Sequence, residues 1–440
     1  MKRKRVAIVG AGFSGAALAA QLARAPNAPS VTLIERRARF GVGLAYSTQD
    51  PAQLLNVRAS NMSVFVDEPA HFADWLNARA GLADAAFAPR KLYGAYVGET
   101  LRKAGGVFGK VKRVRGEAVA CERAEQSWRI TLAGGRSIEA DAVVLALGHP
   151  PPSPHAAFVD IDMVGAWDTA ALQRLGAGDV LLVGTGLTMV DAALALAARR
   201  PKGTIYAISR RGLIPRAHLE TPRPRPAEPH DLPLELSDTL AVLRAEAVLL
   251  AARGEPWQQV MERMRNHTTA YWLRLPAVTQ RRFLRHLRPW WDVHRHRMAP
   301  EIAARVAALQ AAGRLRVLAG HVVGAERRGL NVRVAYRQRG GEARCNLVVA
   351  GVVNCTGGDI DLTRTREPLL LQLMRDGAAR PHANGLGLDL DHESRLIDRD
   401  GQAHETLFAL GPLSQGAFWE STAVPDIRVW AARIAAAVLN

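Results

Sequence analysis

Two stretches carry residues whose types and spacing suit one task, holding a diphosphate. The first is "VAIVGAGFSGAALAAQLA", residues 6–23, and the second is "VLLVGTGLTMVDAALAL", residues 180–196. In the first, Gly10, Gly12 and Gly15 follow a β-branched run in G-x-G-x-x-G spacing. Gly10 allows a tight turn, Gly12 lets the backbone approach a pyrophosphate, and Gly15 lets the following helix pack close to the strand. Phe13 and Ser14 fall where that helix begins, and its N–H groups and positive dipole end favour phosphate oxygens. The next β-run, "SVTLIERR", reaches Glu35, an acid placed to bind ribose hydroxyls. Strand, turn, helix, strand and acid together predict a dinucleotide site.

The second turn has Gly184 and Gly186, with Thr188 opening the helix and Met189 at the third glycine position. The wider Met189 predicts a helix set further from its strand. The following run, "GTIYAISRRG", ends in Ser209, Arg210 and Arg211, with no acid. A carboxylate there would repel a 2′-phosphate, whereas two guanidiniums would hold it through forked, charge-assisted bonds. This turn reads as an NADPH site, with a solvated basic pair as the alternative.

The elements around the turns repeat. Each glycine turn and helix is followed by β-runs and then by a final apolar strand, "ADAVVLALG" ending in Gly148 and "NLVVAGVVNCTGG" ending in Gly357. The predicted fold class is α/β, with two Rossmann-like domains in the tandem layout of flavoproteins. In that layout one turn holds FAD and the other the NADPH that reduces it. The division expected is an FAD domain over 1–165 and 345–440, an NAD(P)H domain over 166–221 and 311–344, and a helical insert over 222–310. The insert opens on the proline-rich "TPRPRPAEPHDLP". Its "RPWWDVHRHR" segment reads either as a substrate lid, with Arg holding a carboxylate and Trp covering an apolar part, or as an amphipathic subdomain with Trp in its core. His294 and His296 are two apart and share no helical face, so no metal site is expected.

Composition bounds the function classes. A chain of 440 residues supports two or three domains. The net charge of +17 comes mostly from arginine in an Ala- and Gly-rich background. No basic tail or nucleic-acid motif accompanies it, so no nucleic-acid partner is expected. Cys121, Cys345 and Cys355 form no CxxC pair, which argues against a zinc site and a redox dithiol and suits a reducing cytoplasm. The apolar "VAIV" is too short for a signal peptide, and no stretch reaches the ~18 apolar residues of a membrane span.

The segments "GVGLAYSTQDPAQLLNVRASNMSVFVDEPAHFADWL", "RKLYGAYV", "VGTGLTMVD", "SRRGLIP", "NCTGG", "GLGLDLD" and "WESTAVPDIR" resemble the bacterial FAD/NAD(P)-binding protein family of oxidoreductases. More remotely, the order of these motifs is similar to flavin-dependent N-hydroxylating and Baeyer–Villiger monooxygenases. The resemblance implies FAD and NAD(P) binding and redox chemistry. By it, residues 54–65, including Asn56, Met62 and Ser63, line the flavin, and Arg90 and Tyr93 lie near the pyrophosphate or isoalloxazine. Gly411 and Glu420 belong to a C-terminal segment that closes the FAD site in such proteins. "FVDIDMVGAWD" keeps Phe158, Trp167 and Asp168 of the Baeyer–Villiger fingerprint but lacks its glycine and histidine and is one residue short.

The function expected is an NADPH-using flavoprotein monooxygenase acting on a small molecule. An FAD-dependent dehydrogenase or reductase, or a non-catalytic redox-sensing flavoprotein, is the alternative. The sequence designates no catalytic residue and leaves the substrate and oligomeric state open.

Overall fold

The computed structural model describes residues 3–106, 110–199, 202–223 and 232–440. The chain forms two compact units, one of residues 1–150, 267–277 and 359–440, the other of 151–266 and 278–358.

The first unit opens with β1 (Arg5–Val9), α1 (Phe13–Arg24) and β2 (Ser30–Glu35). Residues Val6–Val9 are buried, as expected of a strand covered on both faces. The two helices α2 (His71–Ala80) and α3 (Arg90–Gly105) precede β3 (Val111–Arg115). An antiparallel meander follows, made of β4 (Ala118–Ala124), β5 (Ser127–Leu132) and β6 (Ser137–Ala140). The chain then returns through β7 (Ala142–Leu145) to lie parallel to β1.

The second unit repeats this plan. An edge strand β8 (Val164–Gly165) and α4 (Thr169–Arg174) lead to β9 (Val180–Val183), α5 (Leu187–Arg199) and β10 (Ile205–Ser209). Six helices follow: α6 (Leu236–Ala252), α7 (Gln258–Arg265), α8 (Thr268–Arg274), α9 (Ala277–His286), α10 (Arg288–Arg295) and α11 (Pro300–Ala311). Next come β11 (Leu315–Arg328), β12 (Asn331–Gln338), β13 (Arg344–Val349) and β14 (Gly351–Asn354). The sheet order is β13-β12-β11-β10-β9-β14-β8. Here one strand does the work of two. β11 runs parallel to β10 up to Ala319 and then antiparallel to β12 from Gly320.

The chain completes the first unit with α12 (Pro368–Arg375), β15 (Arg395–Ile397), β16 (Ala403–Ala409), α13 (Gln415–Phe418) and α14 (Val424–Leu439). The six-stranded sheet reads β15-β16-β7-β1-β2-β3. Each unit has its own apolar core, built on its central parallel strands.

The structure redraws three of the expected boundaries, and the simplest is the one at 165, which moves to 150 because β8 pairs with β14 in the second sheet. The second concerns the division at 345, which falls inside the second sheet. There β12 pairs with β13, and β14 pairs with β9, Val352 opposite Leu181. An apolar strand buried on both faces needs this central place, so the second unit continues to 358. The third concerns the insert over 222–310, which is divided between the two units. Residues 267–277, with α8, pack in the first unit because the apolar face of α8 is buried there. Most of the proline-rich connector, residues 224–231, lies outside the described residues. Among the described residues no helix is long and apolar enough to cross a membrane.

Candidate cofactor-binding sites

In the first unit, Gly10 turns the chain at φ +103°, and an added Cβ would lie 2.2 Å from the Ala146 carbonyl oxygen just past β7. Only glycine fits there. At Gly15 an added Cβ would lie 1.9 Å from the Gly10 carbonyl oxygen, so α1 packs directly on the turn. Gly12 differs. Its nearest neighbour to an added Cβ is the Gly43 Cα at 3.5 Å, an ordinary contact. Nothing in the protein demands glycine at 12, which leaves the approach of a ligand as its reason. Glu35 ends β2 with its carboxylate on the turn, accepting from the Ala11 N–H at 2.8 Å and the Arg37 N–H at 3.0 Å.

The second unit reproduces this geometry. Gly184 has φ +112°, and an added Cβ would meet the Cys355 carbonyl oxygen at 2.4 Å, just past β14. Gly186 is exposed, with no atom within 4 Å of an added Cβ. Met189 is fully buried where the first turn has Gly15. Thr188 stands half-buried in the first turn of α5. The Thr185 hydroxyl donates to the Leu213 carbonyl and lies 2.8 Å from the Ser209 hydroxyl. Beyond Ser209, Arg210 is exposed, and Arg211 donates to the His286 carbonyl at 3.4 Å with its guanidinium 6.0 Å from the centre of the Trp290 ring. Gly148 and Gly357 stand at matching places after β7 and β14, with φ of +73° and +82°.

The remaining expected residues gather in the first unit. Phe13 is buried, its ring 5.9 Å from Tyr93 and 6.4 Å from Tyr46. Gly411 sits against Ser14, since a Cβ at 411 would lie 2.8 Å from the Ser14 hydroxyl. This brings the C-terminal segment to the start of α1. Residues 53–55 pair with 88–90 through Leu55 N–H to Ala88 and Arg90 N–H to Gln53, and Asn56 follows directly. Arg90 also donates from Nε to the Leu54 carbonyl. Met62 is buried, and the Ser63 hydroxyl donates to the Glu68 carbonyl while accepting from the Phe65 N–H. Glu420 is buried.

The fingerprint-like segment is spent on structure. Phe158 is buried in the second core, and Asp168 caps α4 by accepting from the Ala171 N–H at 2.9 Å.

The residues present fit the two cofactors. The start of α1, with Gly12 facing Gly43, is a cradle that side chains would fill. Buried polar atoms without a protein partner stand at Gln53 Oε1, the Tyr93 hydroxyl and the Ser421 hydroxyl. They lie on the segments already placed around α1, and a polar heterocycle would satisfy them. The open Gly186, with Arg210 and Arg211 beyond β10, suits a phosphorylated dinucleotide. Sequence reasoning missed Ser421 and Gly43. Gly43 was readable in "FGVGLAY", whereas Ser421 becomes visible only through its burial.

Residues 7–150 match a family model described as FAD-NAD(P)-binding. No curated protein matches the chain in sequence. Several solved structures share its fold. The chain is similar to an ornithine N-hydroxylase of Kutzneria sp. 744 with reduced FAD, NADP+ and L-ornithine, at 18% identity and TM-score 0.68, covering 100% of this chain and 99% of that one. It is similar to L-lysine 6-monooxygenase of Pseudomonas syringae, at 17% identity and TM-score 0.71, covering 99% of both chains. It is also similar to the FAD-bound cadaverine monooxygenase of Erwinia amylovora, at 13% identity and TM-score 0.69, covering 100% of this chain and 94% of that one. The chain has the α/β fold of these flavoproteins, with two Rossmann-like domains.

Proposed function

We propose that this chain is an FAD-dependent, NADPH-using oxidoreductase of the monooxygenase type that acts on a small molecule. One observation carries the reading. The two glycine turns are built to one plan and finished with opposite charge, Glu35 on the first and Ser209, Arg210 and Arg211 on the second. One finish suits an unphosphorylated ribose and the other a 2′-phosphate. The neighbours named above are monooxygenases, which supports oxygenation over dehydrogenation.

FAD belongs to the first unit and NADPH to the second. Bound FAD would supply two-electron transfer from NADPH to oxygen. The chain's own groups bind and orient. The N–H groups at the start of α1 face the diphosphate, Glu35 takes the ribose hydroxyls, and Arg210 and Arg211 take the 2′-phosphate. Tyr93 and Ser421 offer hydroxyls from buried positions. Burial pushes the Cys121 and Cys355 thiols up to about 12, and no disulfide links the three cysteines. Thiols held so firmly protonated do not suit disulfide exchange, and free cysteines suit a reducing cytoplasm.

The test is oxygen incorporation. Purified protein should carry FAD, oxidise NADPH, and transfer one atom of isotopically labelled oxygen to a substrate from a panel of small amines and ketones, the other atom leaving as water. NADPH oxidation without labelled product across that panel, with an artificial electron acceptor reduced instead, would favour the dehydrogenase.

A further inference from the structure

A strained turn of the first unit lies close to a buried hydroxyl with no protein partner. Trp419 has φ +58° and ψ −60°, and the Glu420 N–H donates to the Phe418 carbonyl at 2.7 Å. This is the γ-turn of the rare, strained kind. Glycine would adopt it at less cost, yet the residue is tryptophan. Such a conformation persists only where its surroundings over-determine it.

Much of that hold comes from α8. The Trp272 ring stacks on Trp419, with centroids 5.0 Å apart and planes at 25°. Trp272 Nε1 donates to the Gly416 carbonyl at 2.9 Å, and the Thr269 hydroxyl donates to the Phe418 carbonyl at 3.1 Å. Phe418 is stacked on Trp430 of α14 at 3.7 Å. The turn is therefore fixed on both sides. Two residues on, the Ser421 side chain is 1% exposed and its hydroxyl has no partner. The same segment approaches the start of α1, through Gly411 against Ser14.

We infer that Thr269 and Trp272 are positioning residues, which hold the strained turn at Trp419 so that Ser421 presents its hydroxyl to the bound flavin. This rests on the assignment of FAD to the first unit. A buried hydroxyl costs stability unless it is bonded, and the dinucleotide is the partner that this segment adjoins. It also explains why α8 packs in the first unit although its sequence lies within the helical insert.

The test uses the purified flavoprotein and six variants. In Trp272→Leu, Thr269→Val and Ser421→Ala the dissociation constant for FAD should rise about fivefold, the loss of one buried hydrogen bond. The visible flavin band should shift in all three. Trp272→Phe keeps a stacked ring but loses the Nε1 bond to the Gly416 carbonyl, so its band should shift less than that of Trp272→Leu. Adding Ser421→Ala to Trp272→Leu should raise the constant no further, because both remove the same bond. If Trp272→Leu does not fold, Thr269→Val carries the comparison, since it deletes one hydroxyl at constant shape. An unshifted band in Thr269→Val and Trp272→Leu with only a lower melting temperature, or an additive double variant, overturns the inference. Wild-type protein that binds no FAD, or Gly12→Ala that binds it at full affinity, overturns the FAD assignment itself.

Discussion

Ser209 occupies at the end of β10 the station that Glu35 occupies at the end of β2. Each is the last residue of the strand that follows a glycine turn, and each reaches the residue between the first two glycines. Glu35 accepts from the Ala11 N–H at 2.8 Å, and the Ser209 hydroxyl lies 2.8 Å from that of Thr185. A carboxylate in one place and a neutral hydroxyl in the other give the two turns opposite tolerance for a phosphorylated ribose.

Replacing Arg210 and Arg211 together by Ala should therefore raise KM for NADPH tenfold or more. Charge-assisted bonds to a phosphate are worth about 1.5–3 kcal/mol each. KM for NADH should change less than about twofold, since no 2′-phosphate is lost. Steady-state kinetics with both coenzymes decide it. Equal changes would make the pair a solvated strand end, with Arg211 merely tied to the His286 carbonyl.

Ser209→Glu should move preference the other way. The new carboxylate would stand where Glu35 stands in the first unit and repel a 2′-phosphate while accepting ribose hydroxyls. We expect the ratio of kcat/KM for NADPH over NADH to fall by roughly tenfold or more, in keeping with a like-charge contact of about 1–2 kcal/mol. A ratio that stays put would show that the strand end does not face the coenzyme ribose.

Gly12 and Gly15 should fail differently when changed to Ala. At Gly15 the new Cβ would fall 1.9 Å from the Gly10 carbonyl oxygen, so α1 cannot seat and the protein should be insoluble or strongly destabilised. At Gly12 the new Cβ meets only the Gly43 Cα at 3.5 Å. That variant should melt near wild type once both are freed of FAD, yet bind FAD at least about tenfold more weakly. Thermal unfolding and flavin titration separate the two cases. Full FAD affinity in Gly12→Ala would remove the diphosphate from this turn.

What the sequence made legible was local. Gly10, Gly15, Gly184 and Glu35 were readable because spacing alone sets their roles, and the buried runs of β1 and β9 read as strands from their apolar residues. Pairing over long separations was harder to read. The repeat of glycine turn, β-runs and final apolar strand already placed β14 with the second turn, as β7 lies with the first, and the division at 345 went against it because a doubly buried strand looks the same in any sheet. The fate of α8 was hidden for a similar reason. Trp272 reads as one more core tryptophan of a helical insert, and only its stack on Trp419, 147 positions later, places it in the first unit. Ser63 shows another limit, for the sequence gives no sign that its hydroxyl is bonded to the Glu68 carbonyl.

Gly186 gives the most direct test of the division of labour between the turns. It is exposed, and no atom lies within 4 Å of an added Cβ, so Gly186→Val should fold and melt like wild type. The first turn is untouched, so the flavin spectrum should be normal and dithionite should bleach it. The valine would stand where a coenzyme diphosphate must approach the backbone at the start of α5. Anaerobic NADPH should therefore bleach the wild-type flavin within a turnover and leave the variant's flavin oxidised, with the reduction rate down by about a hundredfold or more, the loss of several charge-assisted contacts. Stopped-flow absorbance at the flavin band reads both. On admitting oxygen to the reduced wild type, a transient absorbing to the blue of oxidised flavin supports the monooxygenase, and direct return of the oxidised band supports the dehydrogenase. Bleaching of Gly186→Val at the wild-type rate would show that the second turn holds no coenzyme, and the two-cofactor reading would fall with it.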